Sequence, residues 1–155
     1  MRATTQLRLL VGASAGGHLT QLLQLAPCWE GLSPVFVSTL PIVAPELERR
    51  GRTYIIGECN RFHPLRALAV VWRALRIILA ERPVVVLTTG SLPMAIFAAQ
   101  AKLFGARIVW IDSITNVERL SLSGRFARRF ADLCLTQWPH LASVAERIEY
   151  AGELV

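Results

Sequence analysis

Cysteine is scarce and poorly spaced for chemistry: Cys28, Cys59 and Cys134 are the only three, and no Cys-x-x-Cys pair exists. An odd count in apolar surroundings excludes a disulfide framework and a cysteine-based metal site, and predicts buried thiols in a reducing compartment. Lysine occurs once, at Lys102, so the net charge of +6 is carried by arginine. A basic balance suits nucleic acid, anionic lipid or phosphate-bearing small molecules. Here the charge is spread along the chain without basic and aromatic residues interleaving, which argues against nucleic acid. No Gly-Lys-Ser/Thr occurs, which excludes the phosphate loop of nucleotide hydrolases. No acidic cluster has metal-ligand spacing, so no metal or other cofactor is called for. Low-complexity segments, internal repeats and linker-like stretches are also lacking, and residues 1–155 read as one unit.

Long apolar runs are missing too. The stretch PVVVLTTGSLPMAIFAAQA at 83–101 approaches the length of a membrane span, but Gly90 and Pro93 interrupt it and β-branched residues fill only its first half. It reads as buried strand, turn and buried helix. At the amino terminus, Arg2 and Arg8 flank polar residues, and the apolar run that follows is too short for a signal peptide.

What is present is ample apolar material, 53% of residues with a mean hydropathy of +0.42. Short continuous β-rich runs such as PVFVS, PVVVL and RIVWI alternate with helical patterns. The pattern predicts strands at 7–12, 34–38, 53–57, 83–88, 107–112 and 132–136. It predicts helices at 18–26, 43–50, 64–81, 93–104, 122–131 and 140–150. Strands that are apolar throughout are buried on both faces, as in a parallel sheet covered by helices. The expected fold is therefore an α/β, doubly wound, mostly parallel, Rossmann-like sheet. Ligands of such sheets bind beyond the carboxyl ends of the strands, which here means 12–18, 38–41, 58–63, 89–93, 112–121 and 137–140.

The first of these stretches is GASAGGH, residues 12–18. Gly12 is expected to turn the chain sharply off the strand. Gly16 and Gly17 let backbone N–H groups reach a ligand with no Cβ between, and the helix start behind them favours an anion such as a diphosphate. Ser14 adds a hydroxyl. A dinucleotide site fits poorly, because Gly-x-Gly-x-x-Gly is broken by Ser14 and the second strand ends in Val37-Ser38-Thr39 with no acid for a ribose. His18, in the first helical turn, is expected to be neutral near pH 7. It can take a proton from a hydroxyl or donate one hydrogen bond to a phosphate; the alternative is a histidine that only closes the loop.

Gly90 and Ser91 form a second small-residue turn at a strand end, with Pro93 suited to the first turn of the next helix. They either add to the phosphate site or serve as a plain turn. In the polar stretch 113–121, Glu118 and Arg119 are candidates for touching a ligand or a partner, against the alternative of a solvated loop, and Ser123 is expected to cap the helix that follows. On the helix at 64–81, Arg66 and Arg73 fall about 20° apart and Arg76 about 80° from Arg66. Opposite them Leu68, Val71, Trp72, Leu75, Ile78 and Leu79 make a broad apolar face. This helix either lies at a membrane surface, with its arginines on anionic head groups and Trp72 at the boundary, or is a crossover helix packed on the sheet with an Arg-lined outer face; both hold where the apolar face exceeds what the sheet can cover.

Residues 107–139 read RIVWIDSITNVERLSLSGRFARRFADLCLTQWP. Ser14 to His18, then Asp112-Ser113, Leu120 to Gly124, and Gln137-Trp138-Pro139 follow one another in an order and spacing that resembles a known family. It is that of the membrane-side subunit of the split UDP-N-acetylglucosamine transferase of dolichol-linked oligosaccharide assembly. The chain is equally similar to the bacterial PssD-type subunits of exopolysaccharide synthesis. Two departures stand out: Ala15 is inserted between Ser14 and Gly16, and Asp112 occupies a place where the family has Glu. The resemblance implies the N-terminal, acceptor-side half of a two-domain MurG-like glycosyltransferase whose donor half is a separate chain. A single sheet unit fits that independently, since such an enzyme needs a cleft between two. Eukaryotic members begin with a membrane anchor, and the expectation here is none.

The resulting expectation is a peripheral subunit at the cytoplasmic face of a membrane, which binds a lipid-diphosphate-linked acceptor while a donor-side partner binds the UDP-sugar. His18 is the candidate catalytic residue. Ser14, Gly16, Gly17, Gly90, Ser91, Asp112, Ser113 and Glu118 are candidates for the acceptor or its phosphate, and Arg66, Trp72, Arg73 and Arg76 for the membrane surface. The alternatives are a non-catalytic docking protein that recruits the donor-side enzyme and, less favoured, a nucleotide-dependent oxidoreductase.

Overall fold

The computed structural model describes residues 7–60, 62 and 64–154. Arg2, and Arg61 and His63 of the strand-end stretch 58–63, lie outside the described residues. Among the described residues seven strands form one parallel sheet: β1 (Leu9–Ala13), β2 (Val35–Ser38), β3 (Thr53–Ile55), β4 (Val85–Thr88), β5 (Arg107–Ile111), β6 (Leu133–Thr136) and β7 (Glu149–Tyr150). Their order is β3-β2-β1-β4-β5-β6-β7, so the winding reverses between β1 and β4, where Leu10 pairs with Val35 on one side and Val86 on the other. This is the doubly wound, Rossmann-like sheet expected from the continuous apolar strands. Its reversal point is where such sheets open a crevice for a ligand.

Between the strands run α1 (Gly17–Gln24), α2 (Ala44–Glu48), α3 (Pro64–Glu81), α4 (Leu92–Leu103) and α5 (Leu122–Ala127). Alternate residues of β1 serve two cores. Leu10 joins Val70, Ala74, Met94, Phe97 and Trp110 on the face covered by α3, α4 and α5. Leu9, Val11 and Ala13 join Leu19, Leu22, Phe36 and Leu47 on the face covered by α1 and α2.

Several expectations need correction. Gly12 lies inside β1 and does not make the turn: a Cβ there would run into Met94 Cε and stand 3.3 Å from the Val37 carbonyl, so the bare glycine leaves the room in which Met94 of α4 packs on the strand. The helix expected at 140–150 is absent. A 3-10 turn at Pro139–Leu141 leads into an antiparallel bridge between Ser143 and Ile148, after which β7 pairs with β6. Leu141, Val144 and Ile148 have helical spacing, but covering the edge of β6 satisfies more backbone groups than an isolated helix would, and Val144 is left almost wholly exposed. The cap of α5 is Ser121, whose hydroxyl accepts the Gly124 N–H at 2.8 Å, and not Ser123. Of the thiols only Cys134 is buried, which pushes its pKa up to about 12; Cys28 is exposed, because the turn Ala26–Trp29 buries Trp29 instead.

The long helix α3 packs on the sheet and on α4, but not through the face its sequence suggested. Val70, Ala74, Ile77 and Ile78 form the buried stripe. Leu65, Leu68, Val71, Trp72 and Leu79 point outward, with Leu65 79%, Leu68 64% and Trp72 61% exposed. No helix among the described residues is long and apolar enough to cross a membrane.

Candidate functional site

Two loops leave the sheet side by side at its reversal point. After β1 the chain runs through Ser14, Ala15 and Gly16 into α1. Gly16 has φ 92°, a conformation that glycine adopts without a Cβ penalty. After β4 the chain runs through Thr89 and Gly90 into α4, with φ 120° at Gly90 and 91° at Ser91. A non-glycine residue held there carries strain of about 1–3 kcal/mol, the kind of cost that clusters at functional sites. The Ser91 hydroxyl oxygen is enclosed without a hydrogen-bond partner. Both helices thus start at the same crevice, α1 entered through a glycine at positive φ and α4 through the strained Ser91.

His18 joins the two loops. Its Nδ1 lies 3.1 Å from the Ser14 hydroxyl, and its carbonyl accepts the Thr89 hydroxyl at 2.6 Å. Its ring lies over Gly90, where a Cβ would stand 3.0 Å from Cδ2 and 3.1 Å from Nε2. Partial burial holds its pKa below the ordinary histidine value, opposed by the negative charge of Asp112. The imidazole is therefore neutral at pH 7, and Nε2 has no hydrogen-bond partner among the described residues. Gly16 and Gly17 are exposed, with nothing within 4 Å of a Cβ at either. Their backbone faces open space at the start of α1, which suits an anion.

The other candidates divide. Asp112 is 2% exposed and its carboxylate is taken up within the protein. Oδ1 accepts from the Ser121 hydroxyl (2.6 Å) and Trp110 Nε1 (3.3 Å), and Oδ2 from the Ser121 N–H (2.8 Å) and Asn116 Nδ2 (3.1 Å). Asp112 thus shapes the loop 113–121 and acts on His18 through its charge. Gly124 makes room for it: a Cβ there would stand 2.5 Å from Asp112 Oδ1. Ser113 is also buried, its hydroxyl 3.4 Å from Gln21 Nε2 and 3.1 Å from the Thr115 hydroxyl. Glu118 is exposed at the tip of the same loop and makes no hydrogen bond among the described residues. The four membrane-surface candidates are not brought together. Trp72 and Arg76 are exposed on α3, but Arg73 turns toward the sheet and donates from Nη1 to the Ile56 carbonyl at 3.1 Å. Arg66 is exposed and lines the same cleft as Arg73.

Sequence reasoning marked Gln137-Trp138-Pro139 as a motif but not as the residues that hold these loops. Gln137 Nε2 donates to Gln21 Oε1 (2.7 Å) and the Asp112 carbonyl (2.9 Å), while its Oε1 accepts the Leu154 N–H (2.7 Å). Trp138 Nε1 donates to the Ile114 carbonyl at 2.7 Å. Thr39 accepts the Ala15 N–H at 3.2 Å and donates to Glu58 Oε1 at 3.1 Å. The motif Gln137-Trp138-Pro139 is thus a clamp beneath the loop 113–121. The signal for Thr39 and Thr89 was their place at strand ends; nothing in the sequence pointed to Gln21 on a helix.

Comparison with known proteins bears on the family and the fold. A family model described as "Oligosaccharide biosynthesis protein Alg14 like" matches residues 50–154. The UDP-N-acetylglucosamine transferase subunit ALG14 of Mus musculus is 26% identical over 184 residues, covering 96% of this chain and 83% of its own. The protein of the same name from Yarrowia lipolytica is 38% identical over 88 residues, covering 53% of this chain and 41% of its own. Among solved structures, MurG of Acinetobacter baumannii superposes with a TM-score of 0.76 at 14% identity, covering 93% of this chain and 45% of that one. A UDP-N-acetylglucosamine 2-epimerase from Rickettsia bellii does so with 0.70 at 15% identity, covering 96% and 45%. At such identities the likeness is one of fold, and the chain spans less than half of either structure.

Proposed function

The chain belongs to the Alg14-like family of oligosaccharide biosynthesis proteins, and from that premise we propose that it is the acceptor-binding subunit of a two-chain glycosyltransferase. In this reading a UDP-sugar, bound mainly by a donor-side partner, gives its sugar to a lipid-diphosphate-linked acceptor at the cytoplasmic face of a membrane. The observation that carries the reading is the neutral His18 imidazole at the reversal point of the sheet, between two helix starts and beside open glycine backbone. Nε2 is placed to take the proton of an attacking acceptor hydroxyl. That proton becomes acidic as the new glycosidic bond forms and the bond from the sugar to the UDP phosphate breaks, with UDP leaving toward the partner. The backbone N–H groups of Gly16 and Gly17 and the Gly90-Ser91 turn face the acceptor's phosphate. The outward apolar face of α3, with Trp72 within it and Arg76 at its flank, suits the interface of an anionic bilayer.

The subunit reading is supported by a fold that matches 45% of the MurG chain, the share expected of one half of a two-domain transferase. The test is a transferase assay with a panel of UDP-sugars and a lipid-diphosphate acceptor, comparing this chain alone, a donor-side partner alone, and the co-purified pair. Activity is expected only from the pair, and only while His18 is intact. Full turnover by a partner lacking this chain's crevice, tethered to vesicles by other means, would leave the docking-protein reading in place instead.

A further inference from the structure

Beside the glycine loop lies a cleft of about 430 Å³, walled by Thr39 and Leu40 after β2, Ile55 and Glu58 at and after β3, and Arg66 and Arg73 on α3. Its charge is built in. Gly57 has φ 90°, and a Cβ there would stand 2.7 Å from Arg73 Nη1, so a bare backbone lets the guanidinium lie against the strand end, where it donates to the Ile56 carbonyl. Arg66 lies two helical turns earlier on the same side of α3. No ion pair joins either arginine to Glu58 among the described residues, and the Glu58 carboxylate is instead engaged by the Thr39 hydroxyl. Two guanidiniums thus face a cleft without a bound counter-charge, which suits bidentate contact with phosphate oxygens. Thr39 links this cleft to the glycine loop, because the same hydroxyl oxygen accepts the Ala15 N–H.

The geometry points to a second phosphate seat: the glycine loop holds the sugar-side phosphate of a lipid-linked diphosphate, and the Arg66–Arg73 cleft holds the lipid-side phosphate. This rests on the acceptor-binding reading above and deepens it. The order of groups is that of the ligand itself. The sugar lies at His18, the first phosphate at Gly16 and Gly17, the second at Arg66 and Arg73, and the lipid chain leaves the cleft past the exposed Leu40 on its wall. Glu58 is the one unfavourable charge on the cleft wall, and it limits how tightly a bare anion binds.

The test is calorimetric titration of the purified chain with farnesyl diphosphate, farnesyl monophosphate and inorganic pyrophosphate. The diphosphate lipid should bind at least about tenfold more tightly than the monophosphate lipid, since charge-assisted contacts to a second phosphate are added. Arg66→Gln should weaken both lipids by a similar factor of about tenfold or more, because the lipid-side phosphate is common to the two. Arg73→Gln should do the same, but it also removes a backbone contact, so Arg66→Gln, at an exposed side chain, is the decisive variant. Glu58→Gln should tighten the diphosphate, and Arg125→Gln, on α5, should change nothing. A diphosphate-to-monophosphate ratio near one in the native chain, or lipid affinities untouched by Arg66→Gln, overturns the second seat. Equal affinity for inorganic pyrophosphate overturns the lipid-linked acceptor as its occupant. The transferase assay fails separately. An active pair with lipid affinities unchanged by Arg66→Gln removes only the second seat, and an inactive pair with affinities weakened by Arg66→Gln removes only the transferase reading.

Discussion

Gly17→Ala separates a backbone kept bare for a ligand from one kept bare for a turn. Gly17 is the first residue of α1, no positive φ is found there, and an added Cβ meets nothing within 4 Å. The substitution therefore introduces neither strain nor a clash within the chain. It removes the entropic cost of glycine at a helical position, which favours the fold by up to about 1 kcal/mol and raises Tm by roughly 2–4 °C for a chain of this size. A ligand is affected in the opposite sense. Phosphate oxygens must come within about 2.9 Å of the N–H groups to bond them, and a methyl group projecting into that space holds them off. Losing one or two charge-assisted hydrogen bonds, at about 1.5–3 kcal/mol each, weakens the acceptor by more than tenfold. The expected pair of results is an unchanged or higher Tm by calorimetry and a Michaelis constant for the acceptor raised more than tenfold in the transferase assay, with Gly17→Val more severe. A more stable variant with an unchanged acceptor constant would refute the reasoning and leave the loop as a turn. Gly16 offers no such test, because its φ of 92° makes any side chain costly to the fold itself.

His18→Ala should lower kcat roughly a hundredfold to ten-thousandfold with little change in acceptor affinity, whereas a phosphate-binding histidine would raise KM and keep kcat. Because burial depresses the His18 pKa, the acid limb of kcat/KM should fall below the usual histidine value of about 6.5. The same shift gives stability that is fully present above about pH 6.5 and lost as pH falls through the folded value; His18→Gln should abolish that part of the acid destabilisation in pH-dependent melts. Gly124→Ala places a Cβ 2.5 Å from Asp112 Oδ1, and displacing that carboxylate from its donors should cost about 2–4 kcal/mol in denaturant titrations. Trp72→Ser combined with Leu68→Ser should weaken co-sedimentation with anionic vesicles without lowering Tm, since both side chains are mostly exposed. Unchanged sedimentation would remove α3 as the membrane face.

The sheet was legible because strands buried on both faces leave a plain signature. PVFVS, PVVVL and RIVWI are apolar on consecutive residues, and only a parallel sheet with helices on both sides uses them that way. The glycines were legible as a cluster at strand ends but not in their separate roles. Gly12 and Gly16 look alike in GASAGGH, yet one makes room for Met94 on a helix some eighty residues away and the other is fixed by its own φ. The face of α3 was misread for a related reason. A hydrophobic pattern records which residues avoid water, and does not say which of two apolar arcs the sheet takes. The sheet takes the slimmer one, Val70, Ala74, Ile77 and Ile78, because alanine allows α3 to approach α4 closely, and the bulkier arc of Leu65, Leu68 and Trp72 is left outside.

Asp112 shows most clearly where motif reading stops. A carboxylate after a strand, followed by serine, invites a role at the substrate. In the fold it spends its acceptor sites on Ser121, Asn116 and Trp110, and its neighbours Ser113 and Gln137 turn to Gln21 on α1. Three motifs spread over the chain are thereby joined into one support beneath the loop 113–121 and the helix that carries His18. Buried polar groups must find partners or cost several kcal/mol, so once one of them is fixed the others follow. The family pattern can then mark positions that hold the site as readily as positions that touch substrate. What separates the two kinds is the unspent atom. Nε2 of His18, the open backbone at Gly17 and the guanidinium of Arg66 still have bonds to offer, whereas Asp112 has none left. The chemistry is therefore to be sought at the first three.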